Sequence, residues 1–127
     1  MLEQLIQLAR KNQDISVLWL YGSRADGSFH LHSDYDLAIA FNHFLTDPLD
    51  KCLRPEMLAL EWQSALQLDE KTLSIVDINH VSIVLAYEII QYDTVLFCRD
   101  DVRLWREENR IYSRMELDIT YNMRIYA

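Results

Sequence analysis

The chain has 127 residues, half of them hydrophobic and 25% charged, which is the size and composition of one globular domain. Two Gly and two Pro leave no room for a flexible linker or a collagen-like tract. The 12 Lys and Arg against 20 Asp and Glu give a net charge of −8, which excludes a broad basic footprint for nucleic acid.

Leu2, Leu5, Ile6 and Ala9 recur at helical spacing and predict an amphipathic helix over residues 2–12. This opening stretch is charged and polar, unlike a secretory signal. Residues 15–21, ISVLWLY, are β-branched, apolar and aromatic, and predict a buried strand. Residues 22–33 are polar, hold both glycines and form the main irregular segment, with room for a helical turn after Ser23. A second strand is expected at 36–41. Pro55 is read as the first residue of a helix, whose stripe of Met57, Leu58, Trp62, Ala65 and Leu66 runs to about residue 68. A third strand follows at 73–78. Ser82 is positioned to cap a helix that buries Leu85, Ile89 and Ile90. Residues 94–98 give a short strand with Cys98 in the core. After Asp100 and Asp101 a last helix spans about 100–125, with Val102, Trp105, Tyr112, Met115 and Ile119 at helical spacing; one stripe is expected to pack on the sheet, and the surplus of aromatics leaves an exposed remainder able to dock a partner.

The order α-β-loop-β-α-β-α-β-α predicts an α/β (α+β) fold, a small sheet of about four strands covered by helices on at least one face. No apolar run approaches the roughly 18 residues of a membrane span, so no membrane association is expected. Cys52 and Cys98 stand in unrelated contexts, too few for a disulfide framework or a zinc site. Reduced thiols and the cytoplasm are the default expectation.

The chemistry concentrates where Tyr21-Gly22-Ser23-Arg24 is followed by Ser33-Asp34-Tyr35-Asp36. Asp34 and Asp36 lie two apart at a strand start, so they share a face. Two carboxylates that close repel each other, and Mg²⁺, a hard cation that takes oxygen ligands, relieves the repulsion. Gly22 ends the preceding strand without a Cβ, which lets a phosphate approach the backbone. Free N–H groups after Ser23, the Ser23 hydroxyl and the Arg24 charge complete a cradle for a triphosphate. A lone D-x-D or a lone Gly-Ser is usually just a turn, but the combination arises by chance in about one in several hundred chains of this length.

Gly22-Ser23, ten residues, then Asp34-Tyr35-Asp36 resembles the G-S-x10-D-x-D signature of the minimal nucleotidyltransferases (MNT) of the DNA polymerase β superfamily. The flanks are similar too, and the likeness extends over roughly residues 2–100. The resemblance implies a mixed-sheet, polymerase-β-like fold making up a single MNT domain over residues 1–127. It further implies an antitoxin of a HEPN/MNT toxin–antitoxin pair that binds ATP with Mg²⁺. Such an antitoxin transfers AMP to a tyrosine of its HEPN ribonuclease toxin. Carried over, Gly22 and Ser23, with Arg24 beside them, hold the nucleotide. Asp34 and Asp36 are the catalytic metal ligands.

The chain departs from the family pattern at one place. Ser74 stands where a third carboxylate is expected, and Asp77 matches a second, non-catalytic aspartate. If the strand is regular, Ser74 and Asp77 point to opposite faces. A serine has no useful basicity near neutral pH, and general-base help is typically worth about 10²–10⁴ in rate, so transfer is expected to be slow or absent. The alternative is therefore a catalytically weakened MNT-fold antitoxin that neutralises its toxin by binding alone. An aminoglycoside-type transferase working as a dimer is a third reading. The acidic balance suits a basic protein partner and argues against direct nucleic-acid binding.

Overall fold

In the computed structural model, which describes residues 1–22, 34–68, 72–91 and 94–126, the run Ile15–Tyr21 forms β1. All of it but Tyr21 is buried, as expected of a strand covered on both faces. β2 (Tyr35–Phe41) and β4 (Val95–Cys98) pair antiparallel with β1 on either side. β3 (Leu73–Asp77) pairs parallel with β2, giving a mixed sheet of order β3-β2-β1-β4. The four strands fall within a residue or two of the expected positions. Cys98, however, is half-buried on an edge strand rather than in the core, with its thiol donating to the Asp101 carboxylate at 3.4 Å.

Side chains alternate across this sheet and make two cores. On one face Leu18, Leu20, Leu37, Ile39 and Ile75 pack under α1 (Leu2–Lys11) and α2 (Pro48–Ala65), which contribute Leu5, Leu58 and Trp62. On the other, Val17, Trp19, Ala38 and Ala40 pack under α3 (Ile83–Gln91) and α4 (Asp101–Tyr126), which contribute Ala86, Ile89, Ile90 and Ile111. Trp19 sits opposite Ala38 in the register, so a small side chain makes room for a large one. Each fully buried Leu, Ile or Val on these faces contributes roughly 1.5–3 kcal/mol. Helices thus cover both faces. Among the described residues no helix is long and apolar enough to cross a membrane.

The caps explain the helix starts. Ser82 Oγ accepts from Leu85 N at 3.2 Å, as expected. Asp100 Oδ1 accepts from Val102 N and Arg103 N, each at 3.1 Å. The start of α2 corrects the sequence reading. The helix begins at Pro48, where Asp47 Oδ1 accepts from Leu49 N at 2.8 Å and Asp50 N at 3.2 Å, and Pro55 lies inside it. Asp47-Pro48 is the stronger start signal, because it joins a side-chain cap to a residue that needs no N–H donor. Pro55 is instead buried on the same side of the helix as Leu58 and Trp62, while Met57 and Ala65 face out.

The expected stripe of α4 is corrected as well. Val102, Trp105 and Tyr112 are exposed, Met115 is half-buried, and the side chain of Ile119 lies outside the described residues. The inner face is made by Arg103, Leu104, Glu107 and Ile111. Arg103 and Glu107 take inward positions there because they pair with each other along the helix, with Asn79 and the Phe41 carbonyl completing their hydrogen bonds.

Candidate functional site

Three strands bring Tyr21, Asp36 and Ser74 into one row. Tyr21 of β1 pairs with Asp36 of β2, and Asp36 pairs with Ser74 of β3. Partners in register present their side chains on the same face, here the face of Ala38 and Trp19. Asp34 immediately precedes β2 and is exposed, whereas Asp36 is half-buried. Burial, and then the negative charge of Asp34, raise the Asp36 carboxyl above the ordinary carboxylate range. The Tyr21 phenol is pushed up to about 12 by burial, then by Asp36 and Glu88. The rim is thus an electronegative spot in which added negative charge is disfavoured and a cation is favoured.

Gly22 shapes the space beside it. Its φ is +73°, a left-handed conformation that favours glycine. A Cβ there would run into the carboxylate of Asp36. The missing side chain therefore makes the room that Asp36 occupies. Two oxygen donors that repel each other, at a strand start beside a side-chain-free turn, suit a hard divalent cation and, through it, a phosphate. Among the described residues no group of three or more His, Cys, Asp and Glu is arranged to hold a metal. Ser23 and Arg24, expected in the same cradle, lie outside the described residues.

Asp77 is elsewhere. It pairs in register with Ile39, which puts it on the opposite face from Asp36, and it is 4% exposed. Its Oδ2 lies 3.4 Å from Arg54 Nη2, and its Oδ1 accepts from Asn79 N at 2.9 Å. Arg54 also donates to the His43 carbonyl at 2.7 Å, meets Asp14 at 3.4 Å and stacks 4.0 Å over the Phe41 ring. Asp77 therefore anchors α2 to the end of β3.

Beyond β3, Asn79 Nδ2 donates to Glu107 Oε1 at 3.0 Å, while Arg103 donates to Glu107 at 2.9 Å and to Asn79 Oδ1 at 2.8 Å. Burial pushes the Glu107 carboxyl up, but hydrogen bonds from Asn79, Arg103 and Arg110 outweigh it and hold the group below the usual range. These two networks flank the turn after β3 and fix its register relative to the site row. Strand alternation already predicts Asp77 on the helix-covered side, capping or salt-bridged, and it does both. The Glu107 network was not expected: Arg103 and Arg110 lie one turn from Glu107 on the same helix, but Asn79 comes from 28 residues away.

The family described as "Polymerase beta, Nucleotidyltransferase" matches residues 3–102. No curated protein matches the chain significantly. Among solved structures, a toxin–antitoxin with AMP-PNP is similar at 24% identity, covering 98% of this chain and 94% of that one, with a TM-score of 0.69. The toxin–antitoxin MntA–HepT is similar at 20% identity over 98% and 92% of the two chains, TM-score 0.69. A tri-AMPylated Shewanella oneidensis HEPN toxin in complex with MNT antitoxin is similar at 20% identity, again over 98% and 92%, TM-score 0.67. At these identities the likeness establishes the fold.

Proposed function

Because the chain belongs to the polymerase beta nucleotidyltransferase family, we propose that it is the antitoxin of a toxin–antitoxin pair. In this reading it binds ATP with Mg²⁺ at Asp34 and Asp36 and transfers AMP to a tyrosine of a HEPN ribonuclease toxin. The observation that carries the reading is the pairing of Gly22 with Asp36: a left-handed, side-chain-free turn holds open the space of a carboxylate whose ionisation is disfavoured. The similarity in fold to chains from a toxin–antitoxin with AMP-PNP and from a complex with a tri-AMPylated HEPN toxin supports the choice of nucleotide and partner.

The residues divide the work. Asp34 and Asp36 supply anionic oxygens for the cation, and Gly22 with Ser23 and Arg24 receives the phosphates. A bound magnesium ion there would offset the two carboxylates and draw electron density from the α-phosphate. Tyr21, with its phenol pushed up to about 12, stays protonated and closes the inner side of the row. The acceptor hydroxyl would enter beside Ser74, which is exposed.

A second reading, neutralisation by binding alone, is favoured by Ser74 itself. The position in register with Asp36 carries a hydroxyl and no carboxylate, and Asp77 is committed to Arg54 on the far face. The outward Val102, Trp105 and Tyr112 of α4 fit contact with a protein. Purified protein incubated with Mg²⁺ and labelled ATP, with and without the product of the neighbouring gene, separates the two. Label on the partner's tyrosine supports transfer. A tight unlabelled complex supports binding alone, and neither label nor complex overturns the antitoxin reading.

A further inference from the structure

Helix α2 is apolar on its outer side as well as its inner one. Leu49, Leu53, Met57 and Leu60 are between 37% and 64% exposed. Spaced four, four and three residues apart, they fall within roughly 80° of arc on one side of the helix. The inner side is already satisfied by Leu58, Ala59 and Trp62 in the sheet core. The outer stripe therefore has no packing role within the described fold, and a contiguous exposed stripe of this kind marks an interaction surface. Two grooves open beside it. One of about 370 Å³ is lined in part by Leu53 and Met57, and one of about 600 Å³ by Leu60.

Charge distinguishes the possible occupants. Glu56 borders the stripe on one side and Asp50 and Glu61 on the other, all exposed. The arginine of this segment, Arg54, lines the first groove but its charge is taken up by Asp14 and Asp77, with the His43 carbonyl as a further acceptor. A second copy would bring acid against acid, in a chain of net charge −8. The complementary occupant is a helix with an apolar stripe flanked by Lys and Arg, seated as one strand of a coiled-coil-like pair.

We propose that the outer face of α2 is a docking seam for a basic amphipathic helix of a partner protein. The seam overlies the sheet face of Leu37 and Ile39, opposite the face that carries Asp36. A partner held there leaves the carboxylate row open, so docking and nucleotide binding are separate events on one chain. Docking rests on the reading of the chain as half of a protein pair and needs none of its nucleotide chemistry.

The test uses the full chain without nucleotide. A labelled Leu/Lys peptide of about five helical turns, with leucines at i, i+3, i+4 and i+7, is titrated beside a scrambled peptide of the same composition. The ordered peptide should bind at least about tenfold more tightly than the scrambled one. Met57→Ser with Leu60→Ser, charge-neutral changes at exposed positions, should weaken it by about tenfold while leaving the melting temperature in place. Glu56→Lys with Glu61→Lys should weaken it and flatten its salt dependence. Equal binding of the two peptides, or no effect of the serine variant, overturns the seam. So does sedimentation showing a dimer that the serine variant dissolves, because the occupant is then a second copy. Asp34→Asn with Asp36→Asn should leave peptide binding unchanged. Loss of peptide binding in that variant refutes separate sites, whereas loss of ATP binding with peptide binding intact concerns only the nucleotide.

Discussion

Alanine at Gly22 imposes two costs that can be measured apart. The first is conformational. At φ +73° a residue with a Cβ occupies the left-handed region, at a cost of about 1–2 kcal/mol. The second is steric. The new Cβ runs into the Asp36 carboxylate and drives that side chain off its rotamer, at a further cost of about 0.5–1.5 kcal/mol. Together they should lower stability by roughly 1.5–3.5 kcal/mol, a fall in melting temperature of roughly 5–15 °C for a chain of this size. In an Asp36→Ala background only the conformational cost should remain, because the Asp36 Cβ lies 3.4 Å from the new atom, an ordinary contact. The coupling in a double-mutant cycle, read from circular-dichroism melts in magnesium-free buffer, should therefore be about 0.5–1.5 kcal/mol. Calorimetric titration with ATP·Mg should show weakened binding in Gly22→Ala alone, since the displaced carboxylate is a proposed metal ligand. Equal costs in both backgrounds, or a Gly22→Ala protein as stable as the wild type, would refute the argument that the missing side chain holds the site open.

Asp34→Asn with Asp36→Asn should abolish Mg²⁺-dependent nucleotide binding and raise metal-free stability. The Asp36 carboxyl is raised by burial and then by Asp34, so its ionisation favours the unfolded chain, and the wild type loses stability as pH rises through the folded-state value. Unchanged ATP·Mg affinity in the double variant sinks the metal assignment. Gly22→Val with Ser23→Ala should weaken nucleotide binding more than Arg24→Ala does, and the reverse order in calorimetry would move the phosphates toward Arg24. Ser74→Asp should raise AMP transfer to the partner. Asp77→Ala should change transfer little while costing about 1–3 kcal/mol, because Arg54 keeps Asp14 and the His43 carbonyl. Transfer that is already fast and collapses in Asp77→Ala would contradict the register. Glu107 is pushed up by burial and held down more strongly by Asn79, Arg103 and Arg110, so its stabilisation is present above the ordinary glutamate value and lost as pH falls through its lowered one. Glu107→Gln should lower neutral-pH stability by about 1–3 kcal/mol and soften acid unfolding in a pH series of urea melts. An unchanged series removes the network from the account.

The sequence by itself determined what short-range order encodes. Residues 15–21 read as a buried strand because every side chain there is apolar or small, and β1 has those bounds. Ser82 capped its helix as its position implied, since a cap reaches only three residues. Gly22 and Asp36 were legible as neighbours because two strands joined by one loop bring them together, and the register of Tyr21 with Asp36 agrees. The alternation of a strand was likewise enough to separate Ser74 from Asp77. What the sequence did not determine is which side of a helix is inside when polar groups are buried. Val102, Trp105 and Tyr112 form an apolar stripe on α4, yet they face out, and Glu107, 5% exposed, faces in. Its partners Asn79 and Arg103 come from the turn after β3 and from its own helix, and Arg103 also reaches the Phe41 carbonyl at 2.9 Å. The outer stripe of α2 was hidden because a helix started at Pro55 leaves out Leu49 and Leu53, and only the sheet, filled by Leu58 and Trp62, shows which face is left over. A hydrophobic pattern records that a side chain prefers to leave water. Which preferences are met depends on partners tens of residues away, and only the assembled sheet brings those partners within reach.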